Sequence, residues 1–259
     1  MSKRLLFEAL IFVLICGAEV RPVQAQSSAE LGKGTLHGAA PYGSPINDER
    51  LYVHGILNQF EGRLSSDPYF RWDGQAWAGS DFNRLWFKSE GRYNSEGKNE
   101  VGDGDTELLY DKPISTYFNL QAGVRSDLDS RPNRTWVALG VQGLAVGNWN
   151  LEMTGYASTE HRFAVKTNAS WDYRFTQRLI LQPQFETNWY TRDEKSRGIG
   201  AGLSDIDSGF RLRYEFSRKF APYVGIAYQQ FFFTTGDMRR QDGSSPSDVR
   251  GLVGLRTWF

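Results

Sequence analysis

The sequence predicts an all-β protein: an antiparallel transmembrane β-barrel of the outer-membrane type, with about twelve strands, preceded by a flexible N-terminal arm. Three observations carry this. Segments of about ten residues alternate apolar and polar side chains, a period of two that belongs to strands. Long polar connections and tight turns take turns along the chain, as they do when a barrel has outer loops on one side and short turns on the other. The chain ends on an alternating strand, Asp248 to Phe259, whose last residue is aromatic.

Before the barrel come two segments of different character. Lys3 and Arg4 precede an apolar run from Leu5 to Gly17, and Val23-Gln24-Ala25 offers a small-residue cleavage site, so residues 1–25 read as a secretory signal peptide. The run is shorter than the roughly 20 residues that span a bilayer as a helix. Residues 26–50 are rich in Gly, Ala, Ser and Pro and read as a flexible periplasmic arm. The barrel is then assigned to residues 51–259.

Within the barrel the faces separate clearly. Leu85, Phe87 and Tyr93 share one face and Arg84, Trp86, Lys88, Glu90 and Arg92 the other. Phe118, Leu120, Ala122 and Val124 oppose Asn119, Gln121 and Arg125, and Leu181, Phe185, Thr187 and Trp189 oppose Gln182, Gln184, Glu186 and Asn188. Pro183 lies inside the latter segment and predicts a bulge or an early-strand position, since it cannot donate a ladder hydrogen bond. Ile206, Phe210, Leu212, Tyr214 and Phe216 oppose Asp207, Arg211, Arg213 and Glu215. In a barrel the charged faces line the lumen.

The connections follow the same plan. Asn94–Asp105, Asp127–Asn133, Thr191–Ser204 and Thr234–Ser247 are the expected outer loops, and Ala78–Phe82, Lys112–Ser115, Arg174–Arg178 and Ser217–Lys219 the expected inner turns. Tyr69, Trp72, Tyr93, Tyr110, Trp149, Trp171, Tyr173, Trp189 and Tyr190 fall near strand ends, which suits interfacial girdles. In the last strand, Arg250 and Arg256 are expected on the lumen side.

Composition narrows the chemistry. The single cysteine, Cys16, lies in the signal peptide, which leaves the mature chain without disulfides, thiolate metal ligands or a cysteine nucleophile. Residues 26–259 carry 27 Lys and Arg against 28 Asp and Glu, and near neutrality argues against a nucleic-acid partner. His37, His54 and His161 are the histidines, and no nucleophile is placed beside any of them, so the chain is read as non-enzymatic. The glycine run Gly198 to Gly202 follows a charged stretch and precedes no helix, so it is not a nucleotide-binding loop. Met153 shares the lipid face with Leu151, and Met238 sits in the largest outer loop.

Particular words in the sequence resemble the copper resistance protein B family of outer-membrane proteins. They include Arg71-Trp72-Asp73-Gly74-Gln75-Ala76-Trp77, Leu85-Trp86-Phe87-Lys88-Ser89-Glu90-Gly91, Glu107-Leu108-Leu109-Tyr110-Asp111, Leu120-Gln121-Ala122-Gly123-Val124-Arg125 and Phe220-Ala221-Pro222-Tyr223-Val224-Gly225. The resemblance covers Leu51 to Phe259. It implies an outer-membrane barrel that binds copper or assists its removal from the periplasm, with copper as ligand or cargo, outer-membrane lipid around it and periplasmic copper-resistance proteins as partners. Family members often carry a methionine- and histidine-rich arm, whereas residues 26–50 here hold His37 and no methionine. His37 and His54 are the candidate metal ligands, and Glu90, Glu107, Glu186, Asp207, Arg211 and Arg213 are the lumen groups that a permeating ion would meet. The alternatives are a general small-solute pore or structural barrel without metal preference, and a lipolytic enzyme built on His54 or His161.

Overall fold

A computed structural model describes residues 51–65, 67–94, 100–128 and 134–259. The signal peptide, the arm and His37 lie outside the described residues. Strands β1 (Tyr52–Leu64), β2 (Tyr69–Gly79), β3 (Arg84–Asn94), β4 (Glu100–Pro113), β5 (Phe118–Asp127), β6 (Thr135–Ala145), β7 (Trp149–Ser158), β8 (Phe163–Trp171), β9 (Tyr173–Arg174), β10 (Leu179–Tyr190), β11 (Gly202–Tyr214), β12 (Phe220–Phe231) and β13 (Ser247–Trp258) form a single antiparallel sheet. Each strand pairs with its neighbour in sequence, except that β8 and β9 both pair with β10, and β13 returns to β1, so the sheet is a closed barrel.

β8 and β9 are one barrel strand interrupted at Asp172, which gives twelve staves. The interruption explains Pro183. β10 pairs with β9 at Ile180 and Leu181 and with β8 from Gln184 onward, so the proline falls at the gap in its partner. Its other neighbour, Phe210, remains in unbroken register. The irregularity is therefore in the strand opposite, and Pro183 itself is neither bulged nor early.

Burial is inverted relative to a water-soluble protein. Val137, Leu139, Val224, Ile226 and Val253 are each more than half exposed, while Glu61, Arg63, Arg211 and Asp111 are at most 3% exposed. Apolar side chains outside and charges inside are the arrangement a barrel adopts when lipid surrounds it. With its strands paired along a closed ladder, the sheet can cross a bilayer.

Two connections differ from expectation. The segment expected as an outer loop at Thr234–Ser247 contains a helix, α1 (Phe233–Gln241), with Met238 half-buried on it. The loop expected at Asn94–Asp105 is shorter, because β4 already begins at Glu100. The glycine run packs against α1: a Cβ on Gly200 would come within 2.5 Å of the Thr235 amide nitrogen, and the Gly200 N–H donates to the Thr235 hydroxyl at 2.8 Å. Close approach of two backbones, not ligand binding, is why glycine stands there.

The girdle also needs correcting at two positions. Trp72, Tyr110 and Trp189 face outward as expected, but Tyr69 turns into the lumen, where it accepts a hydrogen bond from Arg63 at 3.1 Å, and Tyr190 lines an internal cavity. Both lie in the inward alternation of their strands, with Arg71 and Glu186. Closeness to a strand end did not reveal the face.

Candidate functional site in the barrel lumen

The inward positions of β1, β2, β10 and β11 carry charges whose strands meet around the closure of the barrel. Arg211 donates from Nε and Nη2 to the two oxygens of Glu61 at 2.9 and 3.0 Å. Arg63 donates to the same carboxylate at 2.8 Å, and the Tyr223 hydroxyl adds a fourth bond at 2.9 Å. Arg63 also reaches Asp207. Arg71 then links Asp207, at 3.0 Å, to Glu186, at 2.6 Å. Lys166 continues the chain from Glu186, at 3.7 Å, to Glu90. Guanidinium forks fit this work because they satisfy two carboxylates at once.

Smaller groups complete the lining. Lys88 donates to Gln121 at 2.9 Å, to Gln142 at 3.1 Å and to Glu152. Nearer the outer loops, Arg125 pairs with Asp105 at 2.9 Å and Arg134 with Asp127 at 2.7 Å, while the Tyr156 hydroxyl donates to Glu107 at 2.6 Å. Toward the other end Trp86 and Leu109 fill the lumen, and Arg213 holds Asp172 at 2.9 Å. A buried charge is tolerated only when paired and hydrogen-bonded, and this lumen meets the condition at nearly every position.

All six lumen residues expected from sequence point inward. Glu90, Glu186, Asp207 and Arg211 belong to the continuous chain, whereas Glu107 and Arg213 stand in separate groups. Lys88 stood on the charged face read from sequence, but Glu61, Arg63, Arg71 and Lys166 were missed. Their signal was available, since Gln59, Glu61 and Arg63 alternate with Phe60, Gly62 and Leu64, and Arg71, Asp73 and Gln75 alternate with Trp72 and Gly74. Arg250 and Arg256 lie on the inner side as expected, with Arg256 within 3.9 Å of Asp172.

His54 does not join these groups. Its ring lies between Trp77 and Trp258, with centroids at 6.0 and 5.8 Å. Among the described residues, no three His, Cys, Asp or Glu side chains are close enough to hold a metal ion. The donor set in this part of the lumen, carboxylates committed to Arg and Lys, does not fit a resident copper ion.

Two cavities interrupt the packing. The outer one, of about 160 Å³, is bounded by the β10–β11 connection, α1 and residues such as Arg71, Arg134, Tyr190 and Asp205. The inner one, of about 40 Å³, lies among Asp73, Lys88, Glu107, Glu152, Thr154 and Tyr156. Glu90, Asp105 and Lys166 line both, so the Lys166–Glu90 pair stands between them.

Comparison with known proteins now decides the family. Residues 51–259 match the family described as copper resistance protein B precursor (CopB). The chain belongs to the copper resistance protein B family. It is 40% identical to copper resistance protein B of Escherichia coli over 227 residues, covering 87% of this chain and 74% of that protein. It is 34% identical to a copper resistance protein B homolog of Pseudomonas syringae pv. tomato over 218 residues, covering 84% and 73%. Among solved structures, a NanC porin is similar with a TM-score of 0.50 at 12% identity, over 80% of this chain and 99% of that one. That likeness concerns the fold alone. The family match covers all thirteen strands, so the lumen just described is the lumen of a copper resistance protein B barrel.

Proposed function

We propose that this barrel resides in the bacterial outer membrane, reached after export on its signal peptide, and contributes to copper resistance by binding copper or assisting its removal from the periplasm. The observation that carries this is the family match across the whole barrel, residues 51–259. The lumen chemistry supports passage or transient contact over storage, because most of its carboxylates are held by cations and His54 is packed between indoles. The role is non-enzymatic. Periplasmic copper-resistance proteins would deliver the metal to the inner mouth, and the surrounding lipid is the remaining partner.

The test is copper sensitivity of a deletion strain complemented by the full chain, by a chain lacking residues 26–50, or by nothing. Rescue by the full chain is expected. Failure of the full, membrane-inserted chain to rescue would overturn the reading and favour the general small-solute pore. Equal rescue by the shortened chain would remove the arm, and His37 with it, from the mechanism.

A further inference from the structure

The inner cavity has an unbalanced charge. Asp73, Glu90, Asp105, Glu107 and Glu152 line it against Lys88 and Lys166. Glu90 is taken by Lys166, Glu152 by Lys88, and Asp105 by Arg125 from the wall beside it. Asp73 makes no side-chain hydrogen bond or ion pair among the described residues, and Glu107 accepts only the neutral Tyr156 hydroxyl. Two carboxylates therefore face the cavity without a direct ion pair among the described residues, although Lys88 and Arg125 stand opposite Glu107 in the ladder.

The backbone register makes the imbalance sharper. Asp73 pairs with Glu90, Glu90 with Asp105, and Asp105 with Asp127, so four consecutive strands place carboxylates directly opposite one another. Like charges in opposed cross-strand positions are destabilising, so a fold does not accumulate them for strength. A second observation also points to a ligand. Thr154 is 2% exposed and lines the same cavity, yet its hydroxyl has no hydrogen-bond partner among the described residues. A buried hydroxyl left without a partner is unfavourable. An ion with part of its water shell, seated in the cavity, would satisfy it.

We propose that the inner cavity is a cation-selective constriction, in which Asp73 and Glu107 attract a small cation and the Lys166 ammonium occupies the outer mouth as a tethered substitute for that cation. The position of Lys166 fits this role. It is shared by both cavities and bonded to Glu90, so a cation moving from the inner cavity to the outer one must take over its carboxylate. Selectivity here needs no chelation, because a ring of fixed charge around a narrow, low-dielectric passage discriminates by field. The inference rests on reading the barrel as a cation-handling protein and names the residues that do the handling.

The experiment uses the full barrel, purified and inserted into planar bilayers under a KCl gradient without copper, with heat-modifiable gel mobility confirming that each variant is folded. The expected result is preference for K⁺ over Cl⁻. A unit charge lining the cavity, at an effective dielectric constant of about 20, biases the occupancy of a permeating ion by at least about tenfold. Asp73→Asn combined with Glu107→Gln should therefore lower the K⁺/Cl⁻ permeability ratio by at least about tenfold. Lys166→Gln should raise conductance while keeping the preference for K⁺. If the double variant does not fold, Asp73→Asn alone carries the test, since Asp73 makes no side-chain hydrogen bond or direct ion pair among the described residues. Anion preference, an unchanged ratio in a folded variant, or silence of both the parent and Lys166→Gln would overturn the constriction. Copper complementation reports separately on the function, so failure of one is distinguishable from failure of the other.

Discussion

Glu61 concentrates more interaction than any carboxylate the sequence had singled out. It is fully buried and receives Arg211 through two bonds, Arg63 and Tyr223. Removing one partner of a buried pair leaves the others uncompensated, at a cost of about 3–5 kcal/mol. Glu61→Ala should therefore lower the unfolding free energy of the barrel by about that amount, seen as a lower urea midpoint for loss of heat-modifiable mobility. His54 behaves differently. Its ring neighbours are Trp77 and Trp258, both tilted against it, so His54→Phe should preserve both folding and copper tolerance in the complementation assay. A loss of tolerance with the barrel intact would assign the ring to the metal. Alternation fixed the face of nearly every residue that could be placed on a strand. It did not name the partners, because Arg63 and Asp207 are 144 positions apart and meet only once the sheet is closed.

The elements that depart from expectation do so for local reasons. The connection between β12 and β13 looks like a polar loop because Gly236, Asp237, Arg239 and Arg240 give α1 no apolar stripe, and the mean character of the segment is hydrophilic. What holds it is contact with the β10–β11 connection. Thr235 is 3% exposed, accepts the Gly200 N–H at 2.8 Å and shares a hydrogen bond with Ser204 Oγ at 3.0 Å. Thr235→Val keeps the shape and removes both bonds, leaving two buried polar groups without partners at about 1–3 kcal/mol each. The expected outcome is faster amide exchange across residues 198–201 with the strands unaffected. Unchanged exchange there would show that the two connections hold their positions independently. The Pro183 expectation failed for a comparable reason: sequence shows the missing donor but not that the neighbouring strand is broken at Asp172.

At the scale of the whole molecule, stability rests on closing the sheet, and the seam is where β13 meets β1. The Phe259 N–H donates to the Gly55 carbonyl and the Gly55 N–H to the Phe259 carbonyl, both at 3.0 Å, so the last residue completes the ladder. Its ring lies over Gly55 so closely that a Cβ on that glycine would come within 2.4 Å of it, and a side chain at 55 would push the ring away. The terminal aromatic was legible as a closing strand from alternation alone; its seating on Gly55 was not, because a register shift between Leu57 and Glu61 hides which residue of β1 it meets. Beyond Leu57 the ladder continues from Glu61 opposite Gly254 to Leu64 opposite Gly251, so closure also brings Glu61 to the lumen position where Arg211 waits. Deleting Phe259 removes two backbone bonds at the seam of a structure that has no stable open form in lipid. Assembly should then fail before copper handling does: less heat-modifiable barrel in the outer-membrane fraction, with any inserted molecules conferring full tolerance. Gly55→Val should reproduce the assembly defect by displacing the ring. Normal insertion of both variants would show that the seam is held by the inner ion pairs and not by its terminal residue.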